Sequence, residues 1–107
     1  ESLKREGIYC KIHYSSAHKQ TMSVLKIIRE NEPKKVVFVT VAGRCNALSG
    51  VVAANTHRPV IACPPFKDKM DMMVNINSSI QCPSKVPVMT ILEPGNVALS
   101  VSRMFNL

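Results

Sequence analysis

Four short stretches hold the residue types that could do chemistry: Ser15-Ser16-Ala17-His18-Lys19, Ala42-Gly43-Arg44-Cys45-Asn46, Cys63-Pro64-Pro65 and Glu93-Pro94-Gly95. In the first, Ser16 and the amides opening the following helix could hold a phosphate. Histidine ordinarily titrates near neutrality, so His18 could move a proton. A serine and a histidine two apart make a weak pattern alone, and a surface histidine beside a helix cap accounts for it equally; Lys19 shifts that balance only slightly.

The second stretch is the better site candidate. Gly43 allows close backbone approach, Arg44 offers a planar fork for a carboxylate or phosphate, and Asn46 can both donate and accept. The bland reading is a tight strand-to-helix turn with Arg44 in solvent and Asn46 as the helix cap, and both can hold together. Cys45 could be a reactive thiol, but no neighbour in the sequence supplies a base, and a small buried side chain fits better. His13 and His57 lack a partner at metal-ligand spacing, and the six methionines read as core and loop packing.

Alternating strands and helices would position these stretches. Residues 8–14 alternate around Ile8, Ile12 and Tyr14 and read as a strand with an edge or partly exposed face. Residues 20–31 place Met22, Leu25 and Ile28 at helical spacing, and Pro33 ends the pattern. Residues 36–41 form a nearly unbroken β-branched run, the mark of a central parallel strand covered on both faces. Small residues over 46–55 lead to a short buried strand at 59–62, then a weaker helix over 71–80, a strand over 86–92 and a helix over 96–105. This alternation implies a single three-layer α/β/α domain with an open parallel sheet, of flavodoxin-like kind. In such sheets ligands bind outside the carboxyl ends of the strands, where the four stretches fall.

Composition narrows the function classes. With 107 residues, 46% hydrophobic and 20% charged, the chain is sized for one modest core and is too apolar for disorder. No apolar run approaches the roughly 20 residues of a membrane helix, and the first seven residues are charged rather than signal-like, so a cytoplasmic location is the default. The four cysteines show no paired metal-ligand spacing and are too sparse for a disulfide scaffold, so reduced thiols are expected. Asn77-Ser78-Ser79 matches a glycosylation acceptor, a pattern too short to weigh. The formal charge of +7 invites a nucleic-acid reading, but Lys and Arg are scattered and no aromatic-rich strand offers a stacking platform. A basic pocket for a small phosphorylated ligand, or a solvated surface, fits better.

Ser16-Ala17-His18-Lys19, the run from Val41 to Leu48, Asn55-Thr56, the run from Pro59 to Pro65, and Ser78-Ser79 together resemble the phosphoribosylaminoimidazole carboxylase family, block by block and in order. The resemblance implies carboxylation of 5-aminoimidazole ribonucleotide to its 4-carboxy derivative in purine biosynthesis, without ATP, biotin or metal. It gives His18 the catalytic proton transfer, Ser16, Ala17 and Lys19 the ribonucleotide, and Gly43, Arg44, Cys45 and Asn46 the wall beside the new carboxylate.

The family has a class that uses carbon dioxide directly and a mutase class that moves a carboxyl from the N-carboxylated isomer. Lys19-Gln20 and Arg44-Cys45-Asn46 favour the direct class, although Cys45 and Ala47 stand where that class usually has serine and glycine. The resemblance further implies an octamer and, in the full-length protein, a fused succinocarboxamide synthetase domain. It also implies that a first strand with a Gly-Ser-x-Ser-Asp phosphate loop and a C-terminal helix lie outside this chain. A catalytically silent fragment retaining the fold or assembly surfaces, and a mutase, are the alternatives.

Overall fold

In a computed structural model describing residues 1–43 and 46–107, three strands form one parallel sheet in the order β1-β2-β3. The elements run α1 (Ser2–Arg5), α2 (Thr21–Asn31), β1 (Phe38–Thr40), α3 (Ala47–Ala54), β2 (Val60–Ala62), α4 (Lys69–Ile80), β3 (Met89–Thr90) and α5 (Pro94–Phe105). Phe38 pairs with Val60 and Thr40 with Ala62, while Ile61 pairs with Met89. The ladder continues past the strand ends, where the Cys63 amide donates to the Thr40 carbonyl at 2.8 Å.

The period of two along each strand divides the core. Phe38, Val60, Val86 and Val88 join Val24 and Ile28 of α2 and Val52 and Ala53 of α3 in one cluster. Val39, Ile61 and Ile91 turn the other way and meet Leu3 of α1 and Val97, Val101 and Met104 of α5. Helices therefore cover both faces of the sheet, as an α/β alternation requires.

Three expectations need correction. Residues 8–14 form no strand: Tyr9 and Tyr14 are each 90% exposed, and the segment does not pair with the free edge of β1. Alternation alone makes no strand; a ladder partner must satisfy the backbone. The alternation accordingly yields three strands, not four. The central strand is β2, wholly buried, whereas β1 lies at an edge with its first two residues half-buried and Val41 exposed. The methionines are mostly not core filler, since Met22, Met70, Met73 and Met89 are exposed and only Met104 packs into a core cluster.

Helix ends follow their side chains. Asp68 accepts from the Asp71 amide and starts α4 ahead of the expected 71. Glu93 accepts from the Asn96 amide at 2.8 Å with Pro94 in the first turn, so Pro94-Gly95 opens α5 instead of breaking the chain.

At the amino ends of the strands a carboxylate ties α2 to the segment before β2. Glu32 accepts from the Thr56 hydroxyl and, at 2.8 Å, from the His57 amide, while Arg58 Nε donates to the Glu32 carbonyl at 2.9 Å. The Thr56 hydrogen bond, then the His57 amide, hold the Glu32 carboxyl below its ordinary value. A depressed carboxylate contributes stability that is present above its unfolded-state pKa and is lost as pH falls through the folded value. Glu32→Gln should therefore flatten the acid limb of the melting temperature plotted against pH, measured by circular dichroism. Superimposable acid limbs for the two proteins would refute the clamp.

Candidate active site

The carboxyl ends of the strands gather the first two chemical stretches around one small cavity of about 200 Å³. One wall is the turn Ser15, Ser16, Ala17 and His18; the other is Val41, Ala42 and Gly43, with Ala47 and Leu48 from the first turn of α3. Residues nearly thirty positions apart thus face each other across a polar cleft, as the rule for open parallel sheets requires.

Ser16 shapes the turn from within. Its hydroxyl accepts from the Lys19 amide at 3.1 Å, its carbonyl accepts from the Gln20 amide at 2.8 Å, and its amide donates to Gln20 Oε1 at 3.1 Å. Ala17 is buried, and its carbonyl takes the Thr21 hydroxyl at 2.6 Å, which locks the turn onto the start of α2. His18 is exposed and lines the cavity. Lys19 is also exposed but does not line the cavity.

Asn46 does not line the cavity; it is 6% exposed and caps α3, accepting from the Ser49 amide at 3.2 Å. Its Nδ2 lies 2.8 Å from both Ser49 Oγ and Ser79 Oγ, Ser49 Oγ lies 3.0 Å from Asn46 Oδ1, and Thr40 Oγ1 lies 2.7 Å from Ser49 Oγ. One assignment uses every hydroxyl proton once: Thr40 donates to Ser49, Ser49 to Asn46 Oδ1, Asn46 Nδ2 to Ser79, and Ser79 to the Asn75 carbonyl at 3.0 Å. All five residues are buried, so this chain supports the cavity wall from behind. Arg44 and Cys45 lie outside the described residues.

Sequence reading missed two features here. Ser15 lines the cavity with a buried hydroxyl that has no hydrogen-bond partner among the described residues, and nothing but its place beside Ser16 pointed to it. Asn75 and Ser79, four apart on α4, are the only fully buried residues of that helix; the spacing was legible but their burial was not.

The third and fourth stretches line a different space. A larger cavity of about 530 Å³ lies between β1, β2 and α5, lined chiefly by apolar groups such as Val39, Cys63, Pro64, Phe66, Leu92 and Val97. Burial, then the charge of Glu93, push the Cys63 thiol above its ordinary value, so it is a poor nucleophile near neutral pH. Among the described residues no group of three or more His, Cys, Asp and Glu side chains gathers as metal ligands would, and no helix is long and apolar enough to cross a membrane.

An open parallel sheet with a polar cleft at the carboxyl ends of its strands is the arrangement in which α/β proteins bind small ligands. The whole chain, residues 1–107, matches the family described as AIR carboxylase, and the protein belongs to that family. It is 54% identical over 101 residues to phosphoribosylaminoimidazole carboxylase of Archaeoglobus fulgidus, covering 94% of this chain and 56% of the archaeal protein. Against the bifunctional phosphoribosylaminoimidazole carboxylase/phosphoribosylaminoimidazole succinocarboxamide synthetase of Drosophila melanogaster, it is 39% identical over 108 residues, 99% of this chain and 25% of the fly protein. The crystal structure of Treponema denticola PurE superposes with a TM-score of 0.89 at 38% identity, covering 98% of this chain and 67% of that one. The chain thus spans a little over half of the archaeal relative's length.

Proposed function

We propose that the protein carboxylates 5-aminoimidazole ribonucleotide with carbon dioxide to give 4-carboxy-5-aminoimidazole ribonucleotide. The observation that carries this reading is the cleft in which the Ser15–His18 turn faces Ala42 and Gly43 at the strand ends. The aminoimidazole is an enamine, so its ring carbon can attack carbon dioxide without a cofactor. A carbon–carbon bond forms, a C=O electron pair passes to oxygen, and the ring carbon must then lose its proton. His18 at the lip of the cleft is the group to take that proton. Ser16 and Ala17, in the turn that lines the cleft, and Lys19 beside it hold the ribonucleotide, and Gly43, Arg44, Cys45 and Asn46 shape the side where the carboxylate appears.

On this reading the fold is the flavodoxin-like three-layer type. The working enzyme is a cytoplasmic homo-octamer, with a fused succinocarboxamide synthetase domain in the full-length protein. Neither nucleic acid nor membrane is a partner.

Isotopically labelled carbon dioxide supplied with the ribonucleotide and no ATP tests the reaction. Label should enter the 4-carboxylate of the product, resolved by chromatography. Product formed only from the N-carboxylated isomer, without uptake of free label, would overturn direct carboxylation in favour of the mutase. No product from either substrate would favour a catalytically silent protein.

A further inference from the structure

Helix α4 is built inside out. It exposes Met70, Met73, Val74 and Ile80 and fully buries only Asn75 and Ser79, whereas α5 buries Val97, Ala98 and Val101 in the usual way. Burying an amide costs free energy unless its hydrogen bonds are made, so a helix that turns an amide inward is held by what that amide bonds. Asn75 is 3% exposed, and its Nδ2 donates to the carbonyl of Pro65, in the segment that follows β2. The same amide abuts the segment that follows β1: a Cβ added to Gly43 would lie 3.3 Å from Asn75 Nδ2 and 3.7 Å from its Oδ1. One side chain therefore bonds the segment after β2 and lies close against the segment after β1. Its own carbonyl receives the Ser79 hydroxyl, which is in turn the acceptor for Asn46.

Gly43 lines the cleft, and Asn46 caps the helix whose first turn closes it. From this geometry we infer that Asn75 is a positioning residue for the reaction, a strut that sets the distance of the Gly43 wall from the His18 turn without touching substrate. A side chain at Gly43 would crowd the strut, because its Cβ would require Asn75 to give by a few tenths of an ångström. This inference rests on the carboxylase reading for its chemistry, but its mechanical part stands apart from it.

The test combines steady-state kinetics with amide hydrogen exchange on the full-length protein. Asn75→Ala should lower kcat about 10- to 100-fold with KM for the ribonucleotide changed less than about threefold, and speed exchange in the peptides bearing Gly43 and Phe66 about tenfold. Gly43→Ala presses on the same contact from the other side and should show the same split; it also serves if Asn75→Ala does not fold. The two losses should fail to multiply in the double variant, because they break one contact. Unchanged exchange at both loops overturns the proposal, as does faster exchange with wild-type kcat. A parent protein without turnover defeats the carboxylase reading instead, and exchange in the variants still decides whether Asn75 holds the two loops.

Discussion

Turnover should fall about 10²- to 10⁴-fold when His18 is replaced by asparagine, the range that loss of a positioned acid–base group produces. Asparagine keeps a hydrogen-bonding group near the ring position but cannot accept a proton near neutral pH, so the substitution separates holding the substrate from moving its proton. The comparison is clean because His18 is exposed and sits outside both core clusters. Its replacement should leave the unfolding free energy within about 0.5 kcal/mol of the parent. Isotopic incorporation and thermal unfolding, measured on the same preparations, check both halves. Incorporation at the parent rate in the asparagine variant would remove His18 from the chemistry.

The second large effect concerns stability. Asn46→Leu, which preserves approximate volume, should destabilise the protein by about 2–4 kcal/mol: roughly 1 from the lost helix cap and the rest from buried hydroxyls left short of partners. Ser79 loses its donor, and Ser49 loses the acceptor for its proton together with the acceptor for its amide. Thr40 and Ser49 retain each other, which keeps the loss from being larger. Urea titration should show the drop as a lower midpoint with an unchanged slope. A loss under about 1 kcal/mol would mean that water substitutes for the amide and that the buried chain is not what holds the wall.

The helices were legible because their signals are local. The apolar spacing of Leu25 and Ile28 and the asparagine before α3 each act within one turn, whereas Glu93-Pro94-Gly95 reads as a loop and in fact opens α5. Strand identity depends on what lies alongside, which periodicity does not report. Residues 8–14 carry a good strand pattern and pair with nothing in the sheet, while the longest β-branched run became an edge strand of three residues.

The candidate site divides the same way. The Ser16–His18 turn and Gly43 were found because each stretch follows a strand or extended segment, and the structure brings the two within one cleft. Asn46 was named for a wall and turned out to support that wall from behind. The asparagines and serines over 71–80 make that helix weak by propensity, an argument blind to a buried amide such as Asn75 with a loop partner to satisfy it.

The inverted face of α4 also shapes how the protein responds to temperature. Release of water from apolar surface gives folding its large heat-capacity change and weakens on cooling. A helix docked through an asparagine and a serine contributes little to that change, so α4 adheres mainly by polar contacts, while α5 is held by aliphatic burial. Cooling should therefore weaken the docking of α5 more than that of α4.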